Sequence, residues 1–194
     1  MRTKDPDKQR RIKEAMVRLI LQEGINGASV SKIARSAGVS PATIYIYYSS
    51  KEEMLSEVFR ECSRHSYSYL MGRLSPGMSA GELIEALVRG CFEYTLEYEE
   101  MFSFVEQCSR CPTVSEVVSH RECCCDIFDV IHEYQRRGLL RQCSDQNMSA
   151  CLFAPVRFIA MNRDVSGACA AEHDMEHQLN ELIRMLQDML LRQR

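Results

Sequence analysis

No run of about 18 apolar residues occurs anywhere in the 194-residue chain, and the N-terminal "MRTKDPDKQRRIKEAM" carries charge with no apolar stretch of the signal-peptide kind behind it. These absences argue against a membrane-spanning helix and a secretory route, and the expected location is the cytoplasm. Equally absent are H-E-x-x-H, G-x-S-x-G, G-x-G-x-x-G and P-loop patterns, and no carboxylate pair stands apart from ordinary surface charge. An enzyme has no residues to name here, so no catalytic residue, cofactor or metal site is assigned. No segment alternates convincingly as a strand, and neither an internal repeat nor a low-complexity tract is found.

What is present is a chain 45% hydrophobic and 26% charged, enough for one or two globular domains with a true core. The ten cysteines, in a cytosolic chain of this size, read as thiols rather than as a disulfide framework. Charge is uneven. Residues 1–60 carry 11 Lys and Arg against 7 Asp and Glu, whereas residues 61–194 carry 13 against 20, within a formal total of −3. A small basic segment joined to a larger acidic one suits a polyanion-binding module attached to a body that avoids polyanions; a solvated charged helix is the plainer alternative.

Almost the whole chain reads as helix. Ile12, Ala15, Met16, Leu19 and Ile20 form one face of a first helix expected to stop at Gly24. Ser29 is placed to cap a short second helix with Val30, Ile33, Ala34 and Ala37 inward, and Gly38 allows a sharp bend. Ser40 caps a third, with Pro41 at the first helical position. "SKEE", Ser50 to Glu53, has the capping-box spacing and starts a fourth helix that runs to about Arg73. Helical periodicity resumes around Leu83 to Cys91, Met101 to Cys108, a stretch ending at Gly138, Met148 to Asn162, and a last helix.

Two short helices joined by a glycine turn, between a basic helix and a capped one, predict a helix-turn-helix at residues 1–50 and a helical domain at 51–194. In the third helix Ile44 and Tyr48 are expected inward, and Thr43, Tyr45, Ile46 and Tyr47 outward, with Ser40, Pro41 and Ala42 at the tip entering a major groove. Hydroxyls there meet base edges, helix N-terminal amides and tyrosines meet the sugar–phosphate wall, and Ile46 suits a thymine methyl. Lys51, with Lys4, Lys8, Arg10 and Arg11, supplies charge for phosphates.

The stretch "ASVSKIARSAGVSPATIYIYYSSKEEML" resembles the DNA-binding segment of the TetR family of bacterial transcriptional repressors, over about residues 8–60. The resemblance implies an all-helical repressor that binds a palindromic operator in double-stranded DNA as a dimer and releases it when a small ligand enters the C-terminal domain. Carried over by position, DNA contacts fall on Ser29, Ser40, Ala42, Thr43, Tyr45, Tyr47 and Lys51. Tyr48 departs from the family's usual Phe and brings a hydroxyl that needs a partner if buried.

In the C-terminal part, Met175, Leu179, Leu182, Leu186 and Met189 step by 4, 3, 4 and 3, and Ile183 and Leu190 widen that stripe. With Ala150 and Ala154 on the preceding helix it predicts a homodimer through the last two helices. Phe92, Phe102, Phe104, Phe128, Phe153, Phe158, Met101 and Met161 are more soft apolar side chains than packing demands. They predict an apolar inducer cavity, with Phe92, Phe104, Cys108, Phe128 and Phe153 at its wall and Arg157 for an anionic group. Pro155 is expected to kink its helix. The alternative to an inducer is thiol-redox or metal sensing by Cys108, Cys111 and Cys123, Cys124 and Cys125, although three consecutive helical cysteines point about 100° apart and do not converge. His173 and His177 read as solvated.

Overall fold

The computed structural model describes residues 5–109, 111, 114, 120–161 and 171–192; the side chains of 120–126 and 171–174 lie outside that description. Among the described residues there are nine helices: α1 Pro6–Gly27, α2 Val30–Ala37, α3 Pro41–Tyr47, α4 Lys51–Met71, α5 Ala80–Glu97, α6 Glu99–Ser109, α7 His120–Arg136, α8 Asp145–Met161 and α9 Ala171–Leu190. The only extended pairing among those residues is an isolated bridge between Leu140 and Leu191. The protein is all-α, as its periodicity predicts, and no described helix is long and apolar enough to cross a membrane.

Packing divides the chain into two units. The first comprises Met1–His65 and Tyr98–Cys123, the second Ser66–Glu97 and Cys124–Arg194. In the first, Ile12, Met16 and Ile20 of α1, Ile33 of α2, Ile44 of α3, Met54 and Leu55 of α4 and Phe104 of α6 are essentially inaccessible to water. Full burial of side chains of this kind stabilises by roughly 1.5–3 kcal/mol each before the entropy of ordering is deducted. The second unit is centred on Leu83, Ile84 and Leu87 of α5, Ile127 and Ile131 of α7, Leu152 and Val156 of α8, and Leu179, Ile183 and Leu186 of α9.

Local chemistry starts several of the described helices. The Asp5 carboxylate accepts from the Asp7 and Lys8 amides ahead of Pro6, opening α1. The expected capping box at Ser50 is displaced by one residue. The Ser50 hydroxyl accepts from the Glu53 amide at 3.1 Å, but the Glu53 carboxylate accepts from the amide and hydroxyl of Ser49. A complete box opens α5 instead: the Glu82 amide donates to the Ser79 hydroxyl and the Ser79 amide to the Glu82 carboxylate, at 3.2 and 2.7 Å. Those bonds to Ser79 hold the Glu82 carboxyl below its ordinary range.

Two further expectations are modified. Gly24 breaks α1, but with φ 77° and ψ 170° rather than the left-handed helical cap; one more turn follows, ending where the Ala28 amide donates to the Gly24 carbonyl. On α9, the broad apolar stripe divides. Leu179, Ile183, Leu186 and Leu190 fill the second unit's own core, while Met185 and Met189 stay exposed. On α8, which runs through Pro155, Phe158 and Met161 are 72% and 71% exposed. The expectation that these two line an internal cavity is therefore overturned: with Leu152, Phe153 and Val156 inward, helical spacing carries Phe158 and Met161 round to the opposite face.

Candidate nucleic-acid interface

The segment from Ser29 to Lys51 is held by short-range bonds written into its sequence. The Ser29 hydroxyl accepts from the Lys32 amide at 3.3 Å and caps α2. Beyond α2, Gly38 adopts φ 67° and ψ 37°; its amide donates to the Arg35 carbonyl and the Val39 amide to the Ala34 carbonyl. This pair of bonds closes a helix with a left-handed residue, a conformation that disfavours side chains other than glycine. The Ser40 hydroxyl then accepts from the Thr43 amide at 3.2 Å and lies 2.9 Å from the Thr43 hydroxyl, opening α3 with Pro41 in its first turn.

Two residues anchor α3 from beneath. Ile44 is buried, and so is Tyr48, whose hydroxyl accepts from the Gln9 side-chain amide at 3.4 Å, the partner that a tyrosine in this position requires. Burial pushes the Tyr48 hydroxyl above its ordinary pKa. With those inward, Ser29, Ser40, Pro41 and Ala42 are exposed and Thr43 is half-buried. Tyr45 is 57% and Ile46 42% exposed. Tyr45 and Ile46 thus stand side by side as an exposed aromatic and aliphatic pair on a two-turn helix.

Two expected contact residues are placed differently. Tyr47 is not outward: it is 9% exposed, and its hydroxyl accepts from the Asp5 amide at 2.9 Å and donates to the Asp5 carbonyl at 3.2 Å. A seven-residue helix turning 100° per residue takes position 47 back towards the Ile44 side, and the chain before α1 supplies the partner. Lys51 is half-buried, and its ammonium donates to the Ile25 carbonyl at 2.7 Å, tying the start of α4 to the end of α1. Neither bond was visible in the sequence, because each joins residues more than 25 positions apart.

Charge on this unit is partly committed. Lys8 pairs with Asp5 at 3.4 Å, Arg10 with Glu14 at 2.7 Å, and Lys32 with Glu23 at 2.5 Å. Arg11 and Arg35 are exposed and enter no ion pair among the described residues; Arg11 lies beside Gly38, its guanidinium 3.6 Å from where a Cβ there would sit. Lys4 lies outside the described residues.

The six residues expected around an inducer are distributed over both units. Phe104 and Cys108 are fully buried in the first unit, whereas Phe92, Phe128, Phe153 and Arg157 belong to the second, where Phe128 and Phe153 are core. A groove of about 680 Å³ opens in the first unit, and none of the six lines it; its floor includes Val17, Val58, Cys62 and Met101. Among the described residues no three His, Cys, Asp or Glu side chains are arranged to hold a metal ion. The side chains of Cys123, Cys124, Cys125 and His173 lie outside the description.

Comparison with known proteins agrees with the geometry. A sequence profile described as bacterial regulatory proteins, tetR family, matches residues 12–58. An uncharacterized HTH-type transcriptional regulator of Haemophilus influenzae is 26% identical over 150 residues, 75% of this chain and 77% of that one. The fatty acid metabolism regulator protein of Bacillus subtilis is 43% identical over 61 residues, 31% of each chain. Apart from the Haemophilus protein, the chain matches about half or less of the length of these curated relatives. The crystal structure of a TetR family transcription regulator from Marinobacter aquaeolei superposes with a TM-score of 0.81 at 26% identity, covering 100% of both chains.

Proposed function

We propose that this chain, which matches the tetR family of bacterial regulatory proteins over residues 12–58, is a DNA-binding transcriptional regulator of that family, a repressor released from a palindromic operator by a small molecule. The observation that carries the reading is the tip of α3. Ser40, Pro41, Ala42, Tyr45 and Ile46 stand exposed on a helix fixed from below by Ile44 and Tyr48. Such a helix enters a major groove with its N-terminal residues at the base edges. Ser29, Thr43 and Lys51 complete the proposed contact set. Tyr47, its hydroxyl committed to Asp5, holds α3 at its height, and Lys51, tied to the Ile25 carbonyl, does so as well as meeting phosphates.

A palindrome needs two heads about 34 Å apart, hence a dimer. The exposed Phe158 and Met161 of α8 and Met185 and Met189 of α9, with exposed Ala150 and Ala154 permitting close approach, support pairing through these two helices. The inducer is proposed to be a mainly apolar small molecule acting on the second unit. It weakens DNA binding only as far as it prefers the conformation in which the heads are out of register.

The test is a mobility shift with a duplex selected from a random pool by the full-length protein. Tyr45→Ala and Thr43→Ala should each weaken the selected duplex by about 1–3 kcal/mol while leaving bulk DNA binding nearly unchanged. Unchanged affinity in both variants would remove α3 from recognition.

A further inference from the structure

Three thiols of the first unit whose side chains are described lie outside the proposed DNA contacts: Cys62 in α4, Cys108 in the last turn of α6, and Cys111 just beyond it. The Cys111 amide donates to the Cys108 carbonyl at 2.9 Å. A turn closed in this way holds its end Cα atoms within about 7 Å, and a disulfide spans Cα atoms roughly 4.4–6.8 Å apart. The two thiols differ in access. Cys108 is fully buried, and that burial, with the neighbouring Cys111 and Cys62 thiols adding to it, pushes its pKa up to about 12. Burial likewise pushes Cys62 up to about 12. Cys111 is half-exposed, so a dissolved oxidant reaches it first.

The position of this pair matters as much as its chemistry. α6 packs along α1 within the unit, and the Gln107 side-chain amide, next to Cys108, lies 3.9 Å from where a Cβ on Gly24 would sit. Gly24 is the break in α1, and the Ile25 carbonyl beyond it receives the Lys51 ammonium. The last turn of α6 thus abuts the joint from which α2 and α3 are hung.

We propose that Cys108 and Cys111 are a dithiol–disulfide switch, oxidised by a hydroperoxide, that reshapes the α1 joint at Gly24 and so alters the DNA-binding head. The Cys111 sulfur attacks the peroxide, giving a sulfenic acid and releasing water or an alcohol. The Cys108 sulfur then attacks that sulfenic sulfur, the S–S bond forms, and a second water leaves; two thiols are oxidised and one peroxide is reduced. An S–S bond of about 2.05 Å requires Cβ atoms about 3.5–4.5 Å apart. Either Cys111 turns inward or Cys108 turns outward, and in a close-packed interior that displaces the end of α6 against α1.

The effect on DNA rests on the regulator reading above; the effect on the joint does not. Full-length reduced protein is treated with hydrogen peroxide, alkylated and mapped by mass spectrometry, and hydrogen exchange is followed over residues 20–28. Expected are a peptide linking Cys108 to Cys111, altered exchange at 20–28, and a loss of affinity for the selected duplex of roughly five- to 150-fold. Reductant should reverse all three, and Cys111→Ser should show none of them. Absence of that link, linkage only among Cys123, Cys124 and Cys125, or a link that leaves exchange at 20–28 unchanged would overturn the switch. Should no duplex be selected, the regulator reading fails, and mapping and exchange still decide the switch.

Discussion

Replacing Gly38 by Ala isolates what backbone conformation contributes to the presentation of α3. A Cβ at this position would meet only the Arg11 guanidinium at 3.6 Å, an ordinary contact, so crowding contributes almost nothing. Conformation remains: φ is 67° and ψ 37°, where an L-residue costs about 1–2 kcal/mol. Against this, alanine restricts the unfolded chain and returns about 0.4–1 kcal/mol. The net expectation is a destabilisation of about 0–1.6 kcal/mol, or a fall in melting temperature of up to roughly 6 °C at this chain length. Gly38→Asn, which tolerates the left-handed region, should lose less. Thermal unfolding of the three proteins by circular dichroism gives the order glycine, asparagine, alanine. Stabilisation by alanine, the usual result where glycine merely occupies a helix, would refute the argument that the left-handed bend at Gly38 sets the angle between α2 and α3.

Phe158→Glu places a charge on the exposed face of α8 and should convert a dimer to monomers in sedimentation velocity at micromolar concentration; an unchanged dimer would put the interface elsewhere. Lys13, on α1, lies 3.0 Å from Glu57 and 2.6 Å from Glu61 of α4. Burial alone would lower its pKa, but the hydrogen bonds to Glu61 and Glu57 outweigh that and raise it to about 12. Because the folded value lies above the ordinary 10.5, this stabilisation is complete below about pH 10.5 and is lost as pH rises through about 12. Lys13→Met should lower stability at neutral pH and flatten the alkaline limb of the stability curve; an alkaline limb identical to that of the unsubstituted protein would dissociate Lys13 from it.

The parts of the fold that were legible in the sequence are those encoded by neighbours. Ser29, Gly38, Ser40 and Pro41 act within four residues of themselves, and each does in the structure what its spacing announces. Tyr47 was expected outward and Lys51 at the start of the second domain, free for phosphates; their partners, Asp5 and Ile25, are set by tertiary packing that no local pattern records. The apolar surplus in the C-terminal half was real, but its use was not legible. Periodicity marks a residue as apolar on one face of its helix without saying whether that face meets its own core, as Phe153 does, or water, as Phe158 does. Nor does proximity along the chain record which unit a residue packs in: Phe104 belongs to the first and Phe128 to the second.

That interleaving bears on how this protein can be recombined. A cut at residue 50, where the helix-turn-helix pattern ends, would leave Ile12, Met16 and Ile33 without α6 and without the first half of α4, whose Met54, Leu55 and Phe104 complete their core. The severed head would expose a wall of aliphatic side chains, and a chimaera joined there would inherit a mismatched seam. A transplant that keeps the head intact must carry two non-contiguous stretches, residues 1–65 and 98–123, so exchange of the second unit between relatives has to preserve α6 together with the head it supports.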